Sequence, residues 1–233
     1  MAERGVLFDF SGTLFHIEPP ADAVRIALGD ELLHLVPELV RRGALNGSAR
    51  PPDVPPELSD AWDDRDLSAD AHRAAYAGAG QLAGLTAEQA TRLYDRGVAA
   101  DAWLAYPDTV RTLRELRARQ IPVAVVSNIG WDPRPVLDRH GVAEHIDVLV
   151  LSDERGVVKP DPTIFAMACA ELGVSPRHCV MIGDNPDNDG GCVTLGIEFR
   201  LVDEDPARRP PDALWVAAGL AGACPRRRLT ADG

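Results

Sequence analysis

Short apolar runs rich in β-branched residues recur along the chain at 5–10, 122–127, 146–151, 179–183 and 198–202. Runs of this kind, bounded by turn residues, predict buried strands. Between the later runs the apolar positions shift to helical spacing: 108–119, with Leu113 and Leu116 at helix spacing, 134–140, and 163–172, which Gly173 ends. Strands alternating with helices predict a parallel sheet joined by right-handed crossovers, that is, a doubly wound, Rossmann-like α/β core.

The interval 16–105 breaks that rhythm. It carries Ala-rich and Leu-rich amphipathic stretches at 21–42 and 68–84, divided by the Pro-rich loop 50–56, and no strand pattern. An all-α cap inserted after the first strand is therefore expected, with residues 1–15 and 106–233 forming the core and 16–105 the cap. Beyond Asp203 the prolines at 206, 210 and 211 and the run Arg226 to Arg228 predict a loop, a short helix and a frayed basic tail, to which no function is assigned.

A chain of 233 residues suffices for one substantial core carrying such an insertion. Its 24 basic and 36 acidic residues give a formal charge of −12, which repels polyanions and argues against a nucleic-acid partner. A small phosphorylated substrate remains compatible, because a few cations or a metal ion reverse the potential inside a pocket. No stretch approaches the roughly 20 apolar residues that cross a bilayer, so no membrane span is expected. Cys169, Cys179, Cys192 and Cys224 form no zinc spacing, and the chain opens on a strand rather than a signal peptide, which points to the cytoplasm. The six histidines show no metal-ligand pairing and are expected at the surface or in satisfied positions, and there is neither a dinucleotide fingerprint nor a P-loop. Lys159 is the one lysine among 24 basic residues, the other 23 being arginine. Where arginine is the default cation, a retained lysine marks a place for a compact ammonium rather than a planar guanidinium.

In an open parallel sheet, ligands bind where the carboxyl ends of the strands meet. The first predicted strand delivers Asp9 to a Ser-Gly-Thr turn; the second ends in Ser127-Asn128; the third leads to Lys159-Pro160-Asp161; the fourth ends in Gly183-Asp184-Asn185, with Asp187 and Asp189 close behind. A carboxylate nucleophile needs an electrophile whose charge has been neutralised, and a divalent cation held by Asp9 and Asp184 would do this while offsetting their repulsion. Hard oxygen ligands indicate Mg²⁺. Ser127, the backbone of the Ser11–Gly12–Thr13 turn and Lys159 would hold the oxygens of a phosphoryl group for attack.

These motifs, in this order and each after its own predicted strand, resemble the haloacid dehalogenase superfamily of hydrolases: Asp9-Phe-Ser-Gly-Thr-Leu14, Val125-Val-Ser-Asn128, Val158-Lys-Pro-Asp-Pro162 and Ile182-Gly-Asp-Asn-Pro-Asp-Asn-Asp189. The resemblance covers the core and implies that Asp9 is the nucleophile, that Gly12, Thr13, Ser127 and Asn128 bind the phosphoryl oxygens, and that Lys159 neutralises phosphate and Asp9. It further implies that Asp184 coordinates Mg²⁺ with Asp9, the carbonyl of Ser11, and Asp189 or Asn185, and that the cap is a mobile lid. Asp161 and Asp187 read as turn caps.

The sequence departs from the family at Ser11, where its phosphatases carry a second Asp as general acid and base. Losing a placed general acid typically costs about 10²–10⁴-fold, so hydrolysis of ordinary phosphomonoesters is expected to be weakened. His16 and Glu18 are the nearest substitutes, although both read more simply as exposed linker residues. Alternatives are a 2-haloacid dehalogenase and a catalytically silent phospho-ligand-binding relative; phosphonatase chemistry is set aside because the cap has no lysine for a Schiff base.

Overall fold

The computed structural model describes residues 4–45 and 50–220; the predicted basic tail and Cys224 lie outside the described residues. The chain forms β1 (Gly5–Phe8) and β2 (Phe15–Ile17), then five helices, α1 (Pro20–Leu28), α2 (Val36–Arg41), α3 (Pro56–Asp63), α4 (Ala69–Leu82) and α5 (Ala87–Gly97), and returns through β3 (Trp103–Ala105). The alternation that follows is α6 (Thr109–Ala118), β4 (Val123–Ser127), α7 (Arg134–Arg139), β5 (Val148–Leu151), α8 (Ser152–Arg155), α9 (Pro162–Leu172), β6 (Cys179–Gly183), α10 (Pro186–Asp189), β7 (Glu198–Leu201) and α11 (Ala213–Ala217).

β1 lies at the centre of a parallel five-stranded sheet of order β5-β4-β1-β6-β7. Its four residues are all buried, and they read as an unbroken apolar run because helices cover both faces. Val6 and Phe8 pack on one side with Leu113 and Leu116 of α6, while Leu7 packs on the other with Ile164 and Phe165 of α9. The doubly wound α/β architecture is thus as predicted.

The first strand stops short of the predicted Phe10. Asp9 still donates its N–H to Ile182, but the Phe10 carbonyl then accepts from both Leu14 and Phe15, and Gly12, at φ +76°, lets the chain double back. Order reverses between β1 and β6, so the crevice opens where Asp9 and Asp184 emerge.

The helices between β2 and β3 gather an apolar core of their own around Val24, Leu39, Trp62, Tyr76 and Leu93. Two expectations need correction here. The interval 16–105 is not all helical: β2 and β3 pair antiparallel, Phe15 opposite Ala105 and Ile17 opposite Trp103, as a two-stranded stem. Strands of three residues are too short to show an alternation in sequence. The stretch 21–42 is also not one helix. Gly29, at φ +95°, ends α1, and a 3₁₀ segment, Asp30–Leu35, leads into α2. The unpredicted α5 begins at a capping box in which Thr86 and Gln89 satisfy each other's backbone N–H groups.

Candidate active site

Residues far apart in sequence converge on one cavity of about 520 Å³ at the carboxyl end of the sheet. Asp9 follows β1, Ser127 ends β4, Asp184 follows β6, and Lys159 stands in the loop before α9; all four line this cavity, with Ser11, Asn128 and Asp189.

Lys159 is at the centre of the charge arrangement. Its ammonium, 3% exposed, donates to Asp9 Oδ1 at 2.6 Å and to Asp189 Oδ1 at 2.7 Å. Burial alone would drag the ammonium's pKa down, but Asp9 and Asp189 outweigh it and hold Lys159 above its ordinary value. Burial pushes Asp9 up to about 6, against the pull of Lys159 and with a smaller push from Asp184. Asp189 is raised to about 6 for the same leading reason, and Asp184 is raised by burial and by the charge of Asp189. Carboxylate oxygens of Asp9, Asp184 and Asp189 lie within 4.8 Å of one another. Three carboxylates against one ammonium leave the group anionic, and the donors are oxygen only, with no histidine or cysteine among them. That set fits a hard divalent cation.

The surrounding backbone is shaped to allow this crowding. A Cβ on Gly183 would collide with the Asp189 carboxylate, which folds back to accept the N–H of Asn185 at 3.1 Å. Asn185 in turn caps α10, accepting from Asp187 and Asn188. Asp161 caps α9 through Thr163, and Asp187 is exposed on α10.

Several predicted residues occupy places other than those expected. The Asn128 side chain is engaged with the Lys159 main chain, donating to its carbonyl at 2.9 Å and accepting its N–H at 2.7 Å. Gly12 and Thr13 do not line the cavity. Gly12 gives its N–H to the Phe15 carbonyl, and Thr13 Oγ1 donates to Asp184 Oδ1 at 3.0 Å. A Cβ on Gly12 would approach the Asp184 carboxyl to 2.6 Å, so the turn packs closely against Asp184, and of the two residues only Thr13 hydrogen-bonds to it. Glu18 is buried rather than an exposed linker residue, paired with Arg96 of α5, and the His16 ring packs, tilted, against Tyr106.

The insertion contributes residues that no motif announced. Asp66, His72 and Tyr76 line the same cavity as Asp9. The Ser152 hydroxyl, directly after β5, donates to the Asp66 carbonyl and accepts the Ile129 N–H at 2.8 Å, tying the α3–α4 loop to the end of β4. The neighbouring Gly130 is packed so closely that a Cβ would strike the Arg65 carbonyl and come within 2.8 Å of His72 Cβ. From the C-terminal segment, buried Arg209 donates to the Gly12 carbonyl at 3.0 Å and lies 3.8 Å over the Tyr106 ring. A buried arginine in a Pro-rich stretch carries no sequence signal for such a role.

A family model for haloacid dehalogenase-like hydrolases matches residues 3–191. A phosphoserine phosphatase of Thermus thermophilus is 35% identical over 112 residues, 45% of this chain and 45%, less than half, of that enzyme's length. A phosphoglycolate phosphatase of Yersinia pseudotuberculosis is 28% identical over 206 residues, covering 85% of this chain and 82% of that one. The solved L-2-haloacid dehalogenase of Xanthobacter autotrophicus shares the fold, with a TM-score of 0.64 at 23% identity over 95% of this chain and 84% of that one. No helix among the described residues is long and apolar enough to cross a membrane.

Proposed function

The chain belongs to the haloacid dehalogenase-like hydrolases, and on that premise we propose that it is a Mg²⁺-dependent phosphatase of a small phosphorylated metabolite, working through an aspartyl phosphate on Asp9. The observation that carries this reading is the buried Lys159 ammonium between Asp9 and Asp189, with Asp184 completing the carboxylate cluster. A haloacid offers its nucleophile an uncharged carbon, whereas a phosphoryl group brings negative charge of its own and needs positive charge concentrated beside it. The phosphatases among the relatives support the same class. Held by Asp9, Asp184, Asp189 and the Ser11 carbonyl, Mg²⁺ would supply that positive charge.

The chain's own groups divide the remaining work. A carboxylate oxygen of Asp9 attacks phosphorus as the ester P–O bond breaks. Lys159 offsets the charge of Asp9 and of the phosphoryl oxygens, and Ser127, buried at the end of β4, donates its hydroxyl to one of them. Asn128 positions Lys159 by clasping its main chain from both sides. Water then cleaves the acyl phosphate and restores Asp9. Residues 1–15 and 106–233 serve as the catalytic core and 16–105 as a lid on the β2–β3 stem, excluding bulk water while the ester is bound.

Turnover of 4-nitrophenyl phosphate, whose leaving group needs no proton, tests the reading. Activity should require Mg²⁺ and vanish in Asp9→Asn. Chloride release from 2-chloropropionate, with no hydrolysis of the aryl phosphate, would transfer the chain to the dehalogenases, a reading that Ser11 favours.

A further inference from the structure

Ser11 leaves the reaction without an obvious proton donor. An alkoxide leaving from phosphorus needs a proton at the moment the ester bond breaks, and serine is too weak an acid to give one. The titratable groups that line the cavity can be sorted by what already holds them. Asp9, Asp184 and Asp189 belong to the nucleophile and cation cluster, and Lys159 is bound to two of them. His72 reaches the cavity from α4, but its Nδ1 is hydrogen-bonded to the Tyr94 hydroxyl, and burial first and the Arg65 charge second push it down to about 4. It is therefore neutral near pH 7 and has no readily transferred proton. Glu204 is exposed. One group is left.

We infer that Asp66, in the loop between α3 and α4, is the general acid of this enzyme, supplied by the insertion in place of the carboxyl that Ser11 lacks. The inference rests on the phosphatase reading. Its geometry is a side chain lining the same cavity as Asp9 and Ser11, on a loop that the core itself holds in position. The main chain of Asp66 is fastened to Ser152 and through it to Ile129, next to Ser127-Asn128. Arg65 braces the same loop, donating to the Trp62 carbonyl at 2.7 Å and standing 3.3 Å from Asp66 Oδ2. Gly130 permits the close seating.

The protonation state agrees with the role. Burial raises the Asp66 carboxyl, while Arg65 and then Lys159 pull it the other way without cancelling the rise. His72, held neutral, lines the same cavity from α4, and the Ser152 hydroxyl donates to the Asp66 main-chain carbonyl from α8. In the first step the Asp9 oxygen–phosphorus bond forms, the ester bond breaks, and the leaving oxygen takes the Asp66 proton and departs as the alcohol. In the second, water attacks the acyl phosphate and gives a proton to the Asp66 carboxylate, releasing inorganic phosphate and free Asp9. Ester and water become alcohol and phosphate, and Asp66 ends as it began.

The experiment compares kcat/KM, which reports the chemistry up to leaving-group departure, for an alkyl phosphomonoester and for 4-nitrophenyl phosphate. Three proteins are used: the wild type, Asp66→Asn, and Asp66→Asn combined with Ser11→Asp. The Asn variant keeps the carbonyl that Ser152 binds. Alkyl turnover should fall about 10²–10⁴-fold in Asp66→Asn while the aryl ester changes little, and adding Ser11→Asp should restore much of the alkyl rate. The wild-type alkyl profile should decline as pH rises through the Asp66 pKa, a limb absent from the variant. Equal losses on both esters would overturn the inference and leave Asp66 a residue that seats the insertion; unchanged alkyl turnover would overturn it as well. A wild type inert toward both esters would sink the phosphatase reading itself, and the role of Asp66 with it.

Discussion

Arg96 on α5 holds the carboxylate of Glu18 with two hydrogen bonds of 2.6 Å, at the point where the chain leaves β2 for the insertion. The side chains are 10% and 8% exposed. A bidentate guanidinium–carboxylate pair fixes orientation as well as distance, so it sets the angle between the stem and the helical layer. Arg96 also reaches Asp101 Oδ1 at 2.8 Å, just before β3, and so clasps both strands of the stem from one helix.

Removing Glu18 takes from Arg96 its buried partner and leaves it only Asp101, whose side chain is half exposed. Glu18→Ala is expected to destabilise the protein by on the order of 3 kcal/mol in urea unfolding, because breaking a buried pair costs more than the pair contributes. Adding Arg96→Met should recover part of that loss. A single variant within about 0.5 kcal/mol of the wild type would mean that the pair behaves as a surface ion pair.

Gly130→Ala tests the seating of the insertion on the core. The added methyl would run into the Arg65 carbonyl and reach within 2.8 Å of His72 Cβ, both of them on the insertion. The α3–α4 loop must then lift, carrying the Ser152–Asp66 hydrogen bond with it. Activity on 4-nitrophenyl phosphate should fall at least about tenfold, mostly in kcat/KM, as expected when closure assembles the site. Near-wild-type kinetics would show that closure over β4 is not needed for turnover.

Part of this arrangement is legible in the sequence and part is not. Asp9, Ser127 and Asp184 were legible because each follows its own apolar strand, and the parallel fold brings all such ends to one rim. Lys159 was legible through composition, as one lysine among arginines. Glu18 and Arg96 lie 78 residues apart and Arg209 and Gly12 lie 197 apart, so neither pairing leaves a local pattern. Asp66 lies in the acidic stretch 62–66, whose polar residues could contact a substrate but whose facing the sequence does not encode; the packing of α3 against α4 decides it. Gly12 and Thr13 were assigned to the phosphate because their turn follows Asp9, but its direction depends on carbonyl pairing that periodicity does not encode.

His72 gives the folded protein a characteristic acid sensitivity. Unfolded, a histidine titrates near 6.5; folded, burial and then Arg65 push His72 down to about 4. Between these values the unfolded chain binds a proton that the folded protein refuses. His72 therefore stabilises fully above pH 6.5 and progressively less as pH falls toward 4, a loss of about 3 kcal/mol across the window. Asp9 and Asp189, raised to about 6, work in the opposite sense, favouring the folded state as pH falls through that value. Comparing wild type with His72→Gln cancels the carboxylates. Unfolding free energies from pH 7 to 4.5 should show a flatter acid decline in the variant, and parallel curves would mean that His72 is not held neutral.

Lys159 separates charge from shape. Its ammonium meets two carboxylate oxygens at 2.6 and 2.7 Å while nearly fully buried, which leaves no room for a planar fork with five donors. Lys159→Arg should therefore lose turnover almost as completely as Lys159→Met, about 10²-fold or more, the scale of a lost group that stabilises developing charge. Cation binding should move the other way in Lys159→Met. Without the ammonium, Asp9, Asp184 and Asp189 present more uncompensated charge, and Mg²⁺ affinity measured by calorimetry should rise by on the order of tenfold. Weaker Mg²⁺ binding in Lys159→Met would show that the lysine's main task is to hold Asp9 and Asp189 in place for the cation. Recovery of turnover in Lys159→Arg would show that positive charge alone is enough. Loss of turnover together with tighter binding is the pairing expected of a lysine whose charge is used on the phosphoryl group.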